Sequence, residues 1–246
     1  MTLTARPWAL TAEAVADARR QGLDEDQIEA AIGVISLFNY FTRVADATGI
    51  EFDYPTALPA FEPDRDQVTA PRPDRPVSRS VATGARRRPQ LEGLRAAWES
   101  WRAYLLESDQ PISQRERRLL AAVAAEETAD WAGAAATEPD GDDHLIGFAR
   151  KLSRQPWTMG EADLERLRSA GYSDQAVLHV ISVVAHQNAD SRLVLGLGKS
   201  RSLCRTERGS RPRPADPPPP GADRDPVSLP IPVRPGAAVP NRLPTV

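Results

Sequence analysis

The sequence predicts an all-α fold, and three observations carry that prediction. Apolar residues recur at three- and four-residue spacing wherever they are dense enough to form a core, which is the period of a helix with one buried face. No segment shows the strict apolar and polar alternation of a half-buried strand. The chain also repeats itself. Shifted by 149 residues, positions 7–49 lie over 156–198 without a gap and share nine of 43 residues, among them Trp8/Trp157, Gly22/Gly171, Asn39/Asn188, Arg43/Arg192 and Gly49/Gly198. Each copy reads as a short helix, a glycine turn and a long helix, and a repeated unit of that kind sets the architecture.

Taken in order, residues 12–21 form the first short amphipathic helix, closed by Gly22 where a left-handed C-terminal cap favours glycine. Asp24 can N-cap the next helix, with Gln27 completing a capping box. Ile28, Ala31, Ile32, Ile35 and Phe38 then give that long helix an apolar, largely buried face. Residues 55–89 hold seven prolines and the basic run Arg86, Arg87, Arg88, and read as a linker. Beyond it Leu91, Leu94, Trp98, Trp101 and Leu105 make one stripe. Ser113 with Glu116 is a capping box opening a helix that carries Leu119, Leu120, Val123 and Trp131. Residues 144–152 place Leu145, Phe148, Ala149 and Leu152 on one face. The second copy follows, with Gly171 as the turn, Ser173 as N-cap and Val177, Val180, Ile181 and Val184 as the buried stripe. This makes about seven helices in all.

The expected organisation is a first helical repeat at 7–54, the linker at 55–89, a helical domain at 90–198 that includes the second repeat at 156–198, and a tail at 199–246. Twelve of the 23 prolines fall in that tail of 48 residues, which has no amphipathic period and is expected to be disordered. Its abrupt onset fits a Pro-rich extension or a reading-frame slip in a GC-rich gene.

Charge and cysteine usage exclude several function classes. The tail carries nine basic and four acidic residues, which leaves the first 198 positions at a net −8. An acidic folded part argues against a surface that tracks nucleic-acid phosphates. The single cysteine, Cys204, lies in the tail, so no intrachain disulfide, CxxC pair or thiolate metal cage can form. Residues 1–10 lack a basic region followed by an apolar one, and no apolar run approaches the roughly 20 residues that cross a bilayer. A cytoplasmic location without a membrane partner is the expectation.

Three segments resemble one family. Residues 152–198 (LSRQPWTMGEADLERLRSAGYSDQAVLHVISVVAHQNADSRLVLGLG) are similar to the C-terminal half of the alkylhydroperoxidase D-like, or carboxymuconolactone decarboxylase-like, superfamily, and most to its peroxidase-related branch. Residues 22–52 (GLDEDQIEAAIGVISLFNYFTRVADATGIEF) resemble the same half again. Residues 111–137 (PISQRERRLLAAVAAEETADWAGAAAT) resemble the preceding helix, where that branch reads R-E-R, then CxxC, then a histidine. The resemblance implies an alkylhydroperoxidase D-like helical bundle with a duplicated helix pair, self-association or an intrachain pseudo-dimer, and peroxidase-related oxidoreductase chemistry.

The departure from the pattern bears on that chemistry. With the R-E-R run laid on Arg115, Glu116 and Arg117, the first redox cysteine falls on Asp130, the second on Gly133, the histidine on Thr137 and the proton-relay glutamate on Arg118. Peroxide reduction of the family's kind needs a low-pKa thiolate and a resolving thiol, and neither Asp nor Gly supplies one. The sequence therefore reads as a degenerate member, a non-peroxidatic oligomeric binding or scaffold module. The alternative is a thiol-independent acid/base enzyme of the decarboxylase type, or a peroxidase-related oxidoreductase by resemblance. No cofactor and no metal are implied.

Acid/base candidates follow from spacing. Glu126, Glu127 and Asp130 lie within about one helical turn and read either as carboxylates that split their pKa values or as a solvated acidic face. His186 and Asp190 are spaced i, i+4, as a His–carboxylate pair or a helix-surface contact; the first copy has Leu37 in place of the histidine. Asn39 with Arg43, and Asn188 with Arg192, repeat a polar i, i+4 pair inside apolar helices and read as structural links to a neighbouring carbonyl or to the other copy. Asp142, Asp143 and His144 are adjacent on a glycine-containing loop and read as a helix N-cap rather than a metal site.

Overall fold

A computed structural model describes residues 2–50, 72–74, 89–134 and 143–209, with side chains as far as 198. α1 (Thr2–Ala5) and a 3-10 turn (Pro7–Ala9) lead into α2 (Ala12–Arg20) and α3 (Glu25–Thr48). α4 (Glu92–Leu106), α5 (Gln114–Glu127), α6 (Trp131–Ala134) and α7 (Asp143–Arg154) follow. A second 3-10 turn (Pro156–Thr158) precedes α8 (Glu161–Ser169) and α9 (Asp174–Gly209). The fold is all-α, and the described residues contain no strand.

Local chemistry sets the helix ends. Asp24 accepts the Gln27 N–H at 2.8 Å while Gln27 Oε1 accepts the Asp24 N–H at 3.0 Å, and Ser113 with Glu116 makes the second such box. Gly22 and Gly171 take φ of 99° and 97°, and each closes a Schellman motif, with Leu23 N–H bonded to Ala18 O and Tyr172 N–H to Leu167 O.

α3 and α9 form the most extensive helix pair. They approach closely because residue 196 is glycine: a Cβ there would lie 2.7 Å from Ile32 Cγ2. One core cluster joins α5 (Leu119, Leu120, Val123), α7 (Leu145, Phe148, Leu152) and the early part of α9 (Val177, Val180, Ile181, Val184). The other joins α2 (Val15), α3 (Ile28, Ile32) and α4 (Trp98) to the later part of α9 (Ala189, Leu193, Leu197). α9 is thus buried on all sides over most of its middle, where every residue from Val180 to Val194 except Ser182 is buried.

Three sequence expectations are corrected. The helix opened at Ser113 does not reach Trp131. It stops at Glu127, because Ala129 adopts φ 55° and a third Schellman motif forms, with Asp130 N–H bonded to Ala125 O and Ala129 N–H to Glu126 O. Alanine in this left-handed position hid the stop, and Asp130 then starts α6. A β-branched residue there adds steric strain in a buried position, so Ala129→Val is expected to destabilise by about 2 kcal/mol in chemical denaturation, with Ala129→Gly staying within roughly 1 kcal/mol of the wild type.

The α3 stripe is only half buried: Ile28 and Ile32 are enclosed, but Ala31, Ile35 and Phe38 face outward. Helical period identifies a face; it does not identify what covers it. The last helix does not end near Gly198 but continues through Gly209, eleven residues past the expected boundary at 198. Residues 210–246, and the linker apart from 72–74 and Pro89, lie outside the described residues.

Candidate functional site

The polar residues in the buried middle of α9 are His186, Gln187, Asn188, Asp190, Ser191 and Arg192. A helix buried all round must satisfy such groups through its neighbours, and their partners define the chemistry available.

Asp130 is the hub on one side. It is 3% exposed. Its Oδ1 accepts the Gly133 N–H at 3.0 Å, which caps α6, and its Oδ2 accepts the Ser191 hydroxyl at 2.9 Å. Gln187 Nε2 donates to Ser191 Oγ at 3.1 Å, extending the chain of bonds along α9. Asp130 therefore caps α6 with one oxygen and ties the α5–α6 corner to α9 with the other. Gly133 is half-buried in the same cap, Arg118 is exposed, and Thr137 lies outside the described residues.

His186 and Asp190 face α4. His186 is fully buried and packs edge-on against Trp101, ring centroids 4.7 Å apart, with Trp98 at 5.9 Å. Asp190 Oδ1 accepts the Trp98 indole N–H at 3.0 Å. The face they share is buried rather than at the helix surface, and indole rings meet it.

Glu126 and Glu127 do not form a solvated acidic face. Glu127 is buried with Arg72 and Arg150 at 3.7 Å and Arg154 at 3.5 Å. Burial pushes its carboxyl above the ordinary glutamate range, and the three guanidinium groups oppose that rise. Arg72 also donates to Glu126 O at 2.7 Å and lies over the Trp131 ring at 5.6 Å. The carboxylates of 126, 127 and 130 are thus divided between an arginine cluster and a helix cap.

The two Asn–Arg pairs are built alike. Asn39 Nδ2 donates to Ile35 O at 2.8 Å, and Arg43 Nη1 donates to Asn39 O and Oδ1, both at 3.0 Å. Asn188 Nδ2 donates to Val184 O at 2.9 Å, and Arg192 Nη1 to Asn188 O and Oδ1 at 2.9 and 3.1 Å. Each arginine then reaches away from its own helix: Arg43 Nη2 donates to Ser153 O at 3.2 Å, and Arg192 Nε and Nη2 to Thr4 O at 3.1 and 2.8 Å. Burial lowers Arg43 to about 10, with Asp46 opposing, and Arg192 is also held well below its ordinary value, by burial together with the charge of Arg43.

Two functional-looking groups were not found by sequence reasoning. Arg117 is 0% exposed and donates to three carbonyls, Leu105 O at 2.7 Å, Gln110 O at 2.6 Å and Ile112 O at 3.1 Å. His179 Nδ1 lies 3.3 Å from its Nη2, and burial together with the Arg117 charge holds this histidine below its ordinary value. The R-E-R run marked Arg117, but only the folded α4–α5 loop shows what it binds.

The described surface includes three open concavities. Asp143 and His144 line one of about 320 Å³ with Lys151 and Arg166, where Lys151 and Arg166 both bond the Asp163 carboxylate. A second, about 220 Å³, lies by Tyr104, Pro111 and His179. The third, about 350 Å³, is an apolar groove between α3 and α4. None of the three is lined by His186, Asp190, Glu126, Glu127 or Asp130. Among the described residues no three His, Cys, Asp or Glu side chains are placed to hold a metal. Comparison with protein-family models, curated proteins and solved structures finds no match to this chain.

Proposed function

We propose that this chain is a degenerate alkylhydroperoxidase D-like protein, duplicated within one polypeptide, that has exchanged a thiol peroxidase site for a structural corner and serves as an oligomeric binding or scaffold module. The observation that carries this reading is the double commitment of Asp130. The side chain that stands where the family resemblance places the attacking cysteine caps α6 with one oxygen and anchors Ser191 with the other. Gly133, at the resolving position, is part of that cap. The acid/base alternative needs His186, Asp190, Glu126, Glu127 and Asp130 to converge on a cavity; instead indoles meet His186 and Asp190, arginines meet Glu126 and Glu127, and Asp130 caps α6 and accepts from Ser191.

Duplication is supported by geometry that recurs at the 149-residue offset. The Asn–Arg pairs repeat bond for bond, Gly22 and Gly171 repeat in φ, and α2 and α8 have matching bounds. Thr4 and Ser153 also correspond, and each lends its carbonyl to the arginine of the other copy. A reciprocal exchange of this kind is what a pseudo-two-fold axis generates.

The test is hydroperoxide consumption by the full chain with a dithiol reductant. Consumption is expected to stay at the no-protein level. Turnover that survives Cys204→Ser would overturn the reading in favour of a peroxidase-related oxidoreductase.

A further inference from the structure

We infer that the outward apolar stripe of α3, with the adjoining α3–α4 groove, is the surface on which a second copy of this chain packs. Val34, Ile35, Phe38 and Phe41 are 54, 38, 62 and 54% exposed, and their spacing puts them along one side of α3. The two phenylalanines alone leave roughly 200 Å² in water at ~200 Å² per ring side chain. With Val34, Ile35 and the groove added, the patch reaches the size that marks an interaction surface. The groove continues it through Gly33, Leu37, Leu91 and Leu94. Gly33 permits this junction, since a Cβ there would lie 3.2 Å from Leu94 Cδ2.

The matching positions of α9 indicate what kind of element belongs there. Val183, Val184, Gln187 and Asp190 stand 149 residues beyond the four exposed residues, and all are buried. The two valines share a core cluster with Leu119, Leu120 and Val123 of α5. The α3 stripe thus corresponds to a helix-covered face that has lost its helix. This comparison rests on the duplication proposed above; the exposure of the stripe does not.

A second copy fits better than the other occupants. From Ala30 to Thr42 there is no charged residue, so the face can meet itself across a two-fold without like-charge contact. The exposed edge of α4 offers Glu92, Arg95 and Glu99, both signs together, which is self-complementary. The chain's own linker matches poorly: its longest proline-free run, 77–88, carries four arginines and only two large apolar residues, Val77 and Val81. α3 is long and apolar enough by composition to cross a membrane, but Asp24, Glu25, Asp26 and Asp46 flank the stripe with negative charge, which anionic lipid repels.

The experiment is sedimentation velocity on the full chain at micromolar concentration. The wild type should be a dimer, and Phe38→Glu should weaken dimerisation by roughly tenfold or more. Leu178→Glu, at an exposed apolar position of α9 outside the stripe, should leave the dimer intact. Should Phe38→Glu lose helical circular dichroism, the paired variant Phe38→Ser with Phe41→Ser takes its place. A monomeric wild type, a dimer indifferent to these changes, or a monomer that binds phosphatidylserine vesicles overturns the proposal. The duplication is tested separately by coupling between Arg43 and Arg192, so a monomeric wild type with that coupling intact removes the interface alone.

Discussion

Arg117→Ala is expected to destabilise the protein by about 3–5 kcal/mol, since it strips the guanidinium donor from the buried carbonyls of Leu105 and Ile112, and each buried carbonyl left without its donor costs about 1–3 kcal/mol. Its buried guanidinium donates to Leu105 O and Ile112 O between the end of α4 and the start of α5, and shares Gln110 O with the Ser108 hydroxyl. For a chain of this size the loss corresponds to a fall in Tm of roughly 10–20 °C. Arg117→Lys keeps the charge but concentrates its donors at one atom, which cannot span carbonyls reached from three guanidinium nitrogens. About half of the loss is therefore expected to remain, measured by thermal melting beside the alanine variant. A Tm unchanged in Arg117→Ala would show that the loop carbonyls are solvated and that α5 is positioned by its apolar face alone.

Features set by local chemistry were readable in the sequence, and features set by what lies across the interior were not. Gly22, Asp24, Ser113 and Glu116 act within a few residues of themselves, so the turn and both capping boxes stand where their spacing put them. Ala129 breaks the helix as a glycine would, but alanine carries no such signal, and the α5 end was missed. Phe38 looked as core-like as Val184 because both occupy a helical stripe, and only the presence of α5 over one and not the other separates them. Glu127 was ambiguous for a related reason: Arg72, which partly decides its environment, lies 55 positions earlier in a segment that reads as linker. The i, i+4 spacing of His186 and Asp190 carries no sign that their face is buried, because the indoles that meet them come from a separate stripe.

The paired arginines give the sharpest test of the duplication, because it ties their energies together with a definite sign. Arg43→Met and Arg192→Met each remove a buried donor from a helix-terminal carbonyl and are expected to cost about 2–4 kcal/mol. Arg192 should cost more, since it bonds Thr4 O through two nitrogens while Arg43 bonds Ser153 O through one, and Arg43 Nε has no hydrogen-bond partner among the described residues. The two cations also repel: the charge of Arg43 is a cause of the lowered Arg192 value. Each single variant loses its own bonds but relieves that repulsion. The double variant loses both sets of bonds and relieves the repulsion only once. It should therefore be less stable than the sum of the singles by about 1 kcal/mol in a urea-denaturation cycle. Additivity within roughly 0.3 kcal/mol would place the arginines in independent environments and remove the shared axis that the proposed duplication requires.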